Sequence, residues 1–464
     1  MSYFTREKHE LTAATPWEKT VAKMLSPFNR FMNSANGSGI LLVFLTIVAL
    51  VFANTSCREW YERVLNQQLL VQMGSFKIDM TIHYWINDAL MTLFFLMVGL
   101  EIKYEMKVGR LASLKRAVLP IFAALGGMIV PALIYFSFNS QGETVSGWGI
   151  PMATDIAFAI AILLLLKGKV SPSLTAVLVA LAIVDDLGAV IVIAIFYTDN
   201  LAWSPLIAAF LCFAVLLLLN RGGIRALWAY IAIGSLMWVF MLFSGVHATV
   251  AGVLTALATP MNAVYSPTEF STQARQLLDE FDAHPDSKTQ VAHSRELNDL
   301  LQQLSTGIQK TQTPLQRLEH ILNTPVYFLI VPLFVLFNAG VHVELNNLNA
   351  LLHSPVLKGV FFGLVFGKLI GVVSAIMICV KLKIAALPAD ATFKQVLGIG
   401  MLAGIGFTMS IFVSELAFSG QAQHLAEAKI TILAASLTAA TLGYCWLRFI
   451  TGAAKAETGT SVSQ

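Results

Sequence analysis

The chain has 464 residues, of which 56% are apolar and 12% are charged, with a net charge of +3. A charged fraction about half of that found in soluble proteins excludes a water-soluble globular protein. The near-neutral charge balance gives no reason to expect nucleic acid as a partner. The composition therefore indicates a protein embedded in membrane lipid through many spans.

Apolar runs alternate with short charged clusters, and most have the length of one crossing of a bilayer core about 30 Å thick. They lie at residues 38–53, 85–102, 117–138, 149–166, 172–197, 203–219, 226–258, 321–341, 356–380, 396–418 and 428–450. The run at 226–258 would form one helix roughly 50 Å long, and Ser244 and Gly245 offer a natural break. The sequence therefore predicts an all-α polytopic membrane protein with twelve transmembrane helices.

The basic residues orient these spans. Most of the 30 Lys and Arg residues lie in alternate loops and at the two ends of the chain, whereas the intervening loops hold only Arg58, Arg63 and Lys77. Basic residues gather in the cytoplasmic loops of membrane proteins. Both termini are therefore predicted to be cytoplasmic.

The same pattern divides the chain into five segments. They are a cytoplasmic tail at 1–36, helices one to eight at 37–258, a cytoplasmic polar insertion at 259–320, helices nine to twelve at 321–450, and a second cytoplasmic tail at 451–464. Apolar residues recur at helical spacing within 17–28, as in a helix lying on a membrane surface, and 294–304 has a helical pattern within the insertion. Residues 69–80 have the pattern of an external β-hairpin, a candidate contact between the two copies of a homodimer.

Four ionisable residues lie well inside the apolar runs: Asp155, Asp185, Asp186 and Lys368. Each costs about 2.5–3.5 kcal/mol at the centre of a membrane helix. They can persist only as ion pairs or beside a water-filled cavity, and one lysine cannot neutralise three aspartates. A buried salt bridge that merely fixes helix packing is the alternative interpretation of these residues.

The adjacent acids Asp185 and Asp186 diverge by about 100° around a helix. One carboxylate can therefore face a cavity while its neighbour faces a fixed cation on another helix. Two carboxylates close together in a low dielectric resist being ionised simultaneously, so a cation and a proton would compete for the same oxygens.

The runs at 149–166 and 396–418 are irregular. Pro151, Thr154 and Asp155 stand early in the first run, and the second run holds Gly398, Gly400, Gly404 and Gly406. These runs are candidates for helices that unwind within the membrane around a polar cavity. Asp155 could then balance the positive N-terminal ends of the half-helices and Lys368 the negative C-terminal ends. Glycine that only favours close helix packing is the alternative.

Several motifs resemble the NhaA family of sodium/proton antiporters along nearly the whole chain. They are WINDALMTLFFLMVGLEIKYE at 85–105, GGMIVPALIY at 126–135, PMATDIAFAI at 151–160, LVALAIVDDLGAVIVIAIFYT at 178–198, SGVHATVAGV at 244–253, PLFVLFNAGV at 332–341 and GIGFTMSIF at 404–412. The resemblance implies inverted repeats, helices three to five against ten to twelve, with helices four and eleven unwound and crossing. It also implies electrogenic, pH-regulated exchange of intracellular Na⁺ or Li⁺ for external H⁺ in the bacterial inner membrane, serving sodium and pH homeostasis and salt tolerance, without a cofactor.

The resemblance assigns roles to the ionisable residues. Asp186 would be the chief Na⁺ ligand, Asp185 the second ligand or a proton carrier, and Lys368 the partner of Asp185 when no ion is bound. Thr154 and Asp155 would lie at the helix crossing. The family associates pH regulation with a cytoplasmic funnel, and the matching positions here are Glu101, Glu105, His247, Arg317, Glu319 and His320.

The sequence departs from the family pattern at Tyr104, where arginine is common, at Leu369, where proline is common, and at the insertion before Arg317. Three other functions remain open from the residues alone. An intramembrane aspartyl protease could pair Asp155 with Asp186, a passive channel would conduct Na⁺ independently of pH, and an exchanger could carry K⁺, because selectivity depends on cavity dimensions.

Overall fold

The computed structural model describes residues 37–74, 76–166, 170–198, 201–284, 295–342, 348–388 and 390–460, which are mostly helical. The surface helix predicted within 17–28, the rest of the N-terminal tail and residues 461–464 lie outside this part of the chain. The residues described from 451 to 460 continue the last helix.

Eight described helices are long and apolar enough to cross a membrane. They are α1 (Gly37–Asn54), α3 (Ile82–Lys107), α4 (Leu114–Phe138), α6 (Pro172–Phe196), α7 (Trp203–Arg221), α12 (Pro314–Asn338), α14 (Pro355–Lys381) and α17 (Ala422–Thr460, of which Ala422–Ile450 is the apolar part). Two bent pairs raise the number to ten if each is one span: the 3₁₀ helix Glu143–Met152 with α5 (Ile156–Leu165), and α15 (Phe393–Leu402) with α16 (Phe407–Ala417). The remaining helices are α2 (Arg58–Leu65), α8 (Leu227–Leu242), α9 (Thr249–Ala258), α10 (Pro267–Ala283), α11 (Arg295–Thr311) and α13 (Leu348–His353).

The long apolar run at 226–258 breaks where the sequence predicts. Helix α8 ends at Leu242 and α9 begins at Thr249, and between them Gly245 has a φ of +85°. The Ser244 hydroxyl donates a hydrogen bond to the Met241 carbonyl at 2.7 Å. Glycine adopts this left-handed conformation without a steric cost, so the chain reverses here.

The predicted hairpin is also present. Strands β1 (Gln68–Met73) and β2 (Phe76–Thr81) pair antiparallel, with Leu70 opposite Asp79, and Gly74 has a φ of +63° at the turn. The side chains of Leu69, Leu70 and Val71 in β1 are nearly half exposed. The structure therefore contains the hairpin on which the predicted dimer contact depends.

The insertion is largely helical in the residues described. Ser266 and Glu269 form a capping box at the start of α10, and these hydrogen bonds from Ser266 hold the pKa of the Glu269 carboxyl below its usual value. Helix α11 covers most of the predicted helical segment. Helix α12 begins at Pro314 behind a second capping box and continues through a π-turn at Val326–Ile330 to Asn338. Residues 314–320 therefore belong to a span-length helix.

Helices α4 and α14 pack closely and set the position of Lys368. A Cβ atom on Gly126 would meet the Gly371 carbonyl, and one on Gly371 would meet the Gly126 carbonyl, so only glycine permits this approach. Lys368 lies one turn before Gly371, directly after a π-turn at Gly363–Gly367. Its side chain is completely buried in the interior of the helix bundle.

Candidate functional site

The two bent helix pairs meet at their breaks. The first pair bends by 41° at residues 153–155 and the second by 45° at residues 403–406. The Asp155 amide donates a hydrogen bond to the Ile405 carbonyl at 2.7 Å, and the Thr154 hydroxyl donates one to the Ala403 carbonyl at 2.9 Å. Backbone N–H and C=O groups that leave the helix within the membrane need such hydrogen-bond partners, because the lipid core holds no water to replace them. The two predicted unwound segments are therefore present, and each supplies hydrogen-bond partners for the other.

Asp155 caps two helices at once. Its carboxylate accepts a hydrogen bond from the Phe158 amide in the first turn of α5 at 3.0 Å. It also accepts hydrogen bonds from the amide of Thr408, in the first turn of α16, at 3.1 Å, and from the Thr408 hydroxyl. Negative charge is stabilised at the N-terminal ends of helices. These contacts put the Asp155 carboxylate at the N-terminal ends of both half-helices, and its charge-balancing role stays a prediction.

Asp185 and Lys368 form a buried ion pair. The Lys368 Nζ lies 2.5 Å from Asp185 Oδ2, and both side chains have no exposed area. The other oxygen of Asp185, Oδ1, has no hydrogen-bond partner among the described residues, and Thr154 lies beside this carboxylate. The pair joins α6 to α14 across the interior.

Asp186 faces a different environment, as the divergence around the helix predicts. It is buried, and its Oδ1 has no hydrogen-bond partner in the described part of the chain. Its charged neighbours are Asp185, Asp155, Glu101 and Lys368. Acidic groups therefore outnumber the basic group around Asp186, and the site can reach neutrality only by taking up a cation or protons.

A second group of acids lies toward the C-terminal end of α3. Glu101 is within electrostatic range of Glu105, on the next turn, and of Glu319 on α12. Glu105 accepts a hydrogen bond from the Arg110 amide at 2.7 Å. Since Glu101 also neighbours Asp186, this group is continuous with the deep site. The other two predicted residues of α12, Arg317 and His320, are half-buried and exposed, respectively.

His247 lies apart from the other residues assigned to the funnel. Its Nδ1 is 3.8 Å from Asp88 Oδ1, near the N-terminal end of α3. Glu101 lies roughly 20 Å further along that helix. His247 lines a cavity of about 660 Å³ together with His83 and Glu415. The six positions therefore do not form one cluster.

The sequence interpretation missed an ion pair beside this cavity. Lys429 Nζ on α17 lies 2.5 Å from Glu415 Oε1 on α16, and each side chain is only 9% exposed. His83 Nε2 is 3.5 Å from the same oxygen and 2.9 Å from Asn338 Oδ1. Glu415 and Lys429 both lie in or beside apolar runs. A search for ionisable residues in such runs, which identified Asp185, would therefore have found them as well.

Comparison with known proteins identifies the family. The family model described as Na⁺/H⁺ antiporter 1 matches residues 29–447. The chain is 46% identical over 435 residues to the Na⁺/H⁺ antiporter NhaA of Sulfurimonas denitrificans, covering 94% of this chain and 98% of that protein. It is 45% identical over 446 residues to Na⁺/H⁺ antiporter NhaA 1 of Saccharophagus degradans, covering 96% of each. The chain therefore belongs to the NhaA family of Na⁺/H⁺ antiporters, which are multi-pass membrane transporters without a cofactor and not enzymes.

Proposed function

We propose that the protein exchanges intracellular Na⁺ or Li⁺ for external H⁺ across the bacterial inner membrane, with Asp185 and Asp186 as the shared binding site. The observation that carries this proposal is the buried Asp186 oxygen, which has no partner among the described residues and lies among an excess of acidic groups. A carboxylate oxygen suits a hard monovalent cation and also accepts a proton. The two ions would therefore compete for one position.

The partners of each aspartate suggest distinct roles. Asp155 accepts hydrogen bonds at the two helix ends, and Asp185 is ion-paired with Lys368 through its Oδ2. Asp186 has no such partner, so it would hold the cation, with Asp185 as second ligand or proton carrier. Lys368 would pair with Asp185 when the ion has left. Neutralising the carboxylates lowers the large cost of moving a charged site through a low dielectric.

Alternating access follows from the arrangement of the broken helices. We assign twelve spans by counting the eight long helices, the two bent pairs, α8 and α9. In this count α4, the first bent pair and α6 correspond to α14, the second bent pair and α17 as inverted repeats. The positive-inside pattern then puts both termini and the insertion in the cytoplasm. Rocking of one repeat against the other would expose Asp186 to each side in turn.

The exchange is expected to be electrogenic and regulated by pH. If more protons enter than Na⁺ ions leave, the membrane potential contributes about 2.3 kcal/mol per net charge per 100 mV. Glu101, Glu105 and Glu319, with Arg317, would form the regulatory funnel on the cytoplasmic side. His247 would act from the opposite side, because it lies at the other end of α3.

Everted vesicles test the site. They are energised, and the recovery of a quenched pH-sensitive dye is followed after NaCl is added. Asp186→Asn should abolish this recovery, whereas Asp79→Asn, on the exposed hairpin, should behave like wild type. Recovery in the Asp186 variant equal to wild type would contradict the assignment. Sodium flux that does not depend on pH would indicate a channel, and equal recovery with KCl would indicate a K⁺ exchanger.

A further inference from the structure

His83 lies in the first turn of α3 and contacts two other helices. Its Nε2 is 2.9 Å from Asn338 Oδ1 at the end of α12, and 3.5 Å from Glu415 Oε1 on α16. The side chain is 23% exposed, and it lines the cavity of about 660 Å³ that also contains His247. His83 therefore lies between α3 and α12 on one side and the second bent pair on the other.

The contacts of Asn338 show which nitrogen of His83 carries a hydrogen. Asn338 Nδ2 donates hydrogen bonds to the Phe334 carbonyl at 3.0 Å and to Asn87 Oδ1 at 2.8 Å. Because a carbonyl can only accept, the Asn338 atom that faces His83 is the amide oxygen. Nε2 of His83 must therefore carry a hydrogen, and a neutral imidazole has only this one to donate.

Protonation of the ring changes the balance between the two contacts. Histidine ordinarily changes its charge between about pH 5 and 8. The neutral ring donates to Asn338, which is the nearer acceptor. A charged ring is attracted to the Glu415 carboxylate, because a hydrogen bond between charged partners is stronger than one between neutral partners. Charge on His83 therefore strengthens its contact with α16 rather than its contact with α12.

Several other charged or titratable groups face this region from the surrounding elements. They are Tyr84 and Asp88 on α3, Lys429 on α17, His247 between α8 and α9, Tyr61 on α2 and Tyr197 directly after α6. Tyrosine is uncharged near neutral pH. Lys429 is already paired with Glu415, and His247 lies 3.8 Å from Asp88. Asp88 is on the same helix as His83, so attraction between these two residues joins α3 to no other element.

We propose that His83 and Glu415 form a pH-operated latch, which closes on the external side of the membrane when His83 is protonated. This inference rests on the proposed exchange of Na⁺ or Li⁺ for H⁺. Helix α16 also carries Thr408, about two turns before Glu415, and the Thr408 amide donates to Asp155 at the helix crossing. A contact that holds α16 against α3 therefore restrains the crossing. The closed latch slows alternating access when the external medium is acidic.

The test uses right-side-out vesicles with the same Na⁺ concentration on both sides and a fixed internal pH. The rate of isotopic Na⁺ exchange is measured at an external pH of about 8 and of about 5.5, on either side of the usual titration of histidine. Each variant is compared with wild type at the same external pH, which cancels the direct effects of protons on the binding site and of His247 on the rate.

His83→Gln keeps an amide donor for Asn338 but cannot become charged. Its rate should be within about twofold of wild type at the higher pH and roughly three- to tenfold above wild type at the lower pH, because the charged contact is lost. His424→Gln is the matched control. His424 Nδ1 lies 3.7 Å from Glu427 on the same helix, so its charge joins no two elements, and this variant should follow wild type at both pH values.

A second variant tests the other half of the latch. Glu415→Gln combined with Lys429→Met removes both charges, so that neither is left buried without its partner. It should show the same gain in rate at the lower pH. Adding His83→Gln to this double variant should produce no further gain, since the two halves act through one contact.

Three results would overturn the proposal. The first is a ratio of His83→Gln to wild type that is the same at both pH values, and the second is an equal gain in His424→Gln. The third is a full further gain when His83→Gln is added to the variant of Glu415 and Lys429. Wild-type exchange that is abolished by Asp186→Asn keeps the proposed function intact in all three cases.

Discussion

Lys368 Nζ lies 2.5 Å from Asp185 Oδ2 with both side chains fully buried, while Asp186, next along the same helix, forms no ion pair within the described part of the chain. The one buried lysine near these acids therefore stabilises a single aspartate. We propose that the adjacent aspartate is the one that binds the ion. This difference between neighbouring residues underlies the proposed exchange.

Lys368→Met should destabilise the protein strongly. It leaves the Asp185 carboxylate buried without its partner, and breaking a buried pair in this way costs about 3–5 kcal/mol. Thermal unfolding in detergent should show a lower midpoint. The double variant Asp185→Asn with Lys368→Met removes both charges and should recover much of the loss; no recovery would mean that the pair does not account for the effect.

Thr408→Val should loosen the crossing of the broken helices. The variant keeps the shape of the side chain but removes the hydroxyl that donates to Asp155, a loss of about 1–3 kcal/mol in a buried site. We expect a lower thermal midpoint and slower Na⁺-dependent proton movement. Thr408→Ser retains the donor and is the control. Equal behaviour of the valine and serine variants would argue against a role for this hydrogen bond.

Lys429→Met should also reduce stability, because Glu415 would remain nine-tenths buried without its ion-pair partner. The expected loss is about 3–5 kcal/mol, measured as a lower thermal midpoint. Arg58→Met breaks the exposed pair with Glu62, which has a similar separation of 2.7 Å. Exposed pairs contribute little, so this control should change stability by less than about 1 kcal/mol. A comparable loss in both variants would contradict the argument from burial.

Deletion of residues 69–80 should convert a dimer of the detergent-solubilised protein to a monomer. The hairpin exposes strand edges and the apolar side chains of Leu69, Leu70 and Val71, which suit pairing with a second copy. Light scattering coupled to size-exclusion chromatography measures the mass. Leu70→Lys, which leaves the fold of the hairpin intact, should weaken the dimer in the same direction. An unchanged dimer in the deletion variant would disprove this contact.

Much of the fold follows from local patterns in the chain. The break at Ser244 and Gly245, the hairpin at 69–80 and the two irregular runs are all found where the sequence predicts them, because glycine, proline and hydropathy act over a few residues. The number of spans is harder to determine, because α9 has only 10 residues and each bent pair can be counted as one span or not counted.

Only part of the candidate site was predictable from the sequence. Asp155, Asp185, Asp186 and Lys368 are identifiable from sequence because a charge in an apolar run is costly wherever that run packs. The separation of His247 from Glu101 agrees with the predicted topology, because a break at Ser244 and Gly245 between two spans puts His247 on the side of the membrane opposite Glu101.

The sequence by itself determined that this is a membrane protein with a few ionisable residues inside its spans, and its motifs identified the family. Only the tertiary structure decided how those residues are paired. Lys368 on α14 meets Asp185 on α6 one turn before the glycine contact of α14 with α4. Asp155 accepts hydrogen bonds from the Phe158 and Thr408 amides because two broken helices begin at the same point. Such contacts join residues far apart in the chain, and a few ångströms of packing determine which aspartate meets the buried lysine.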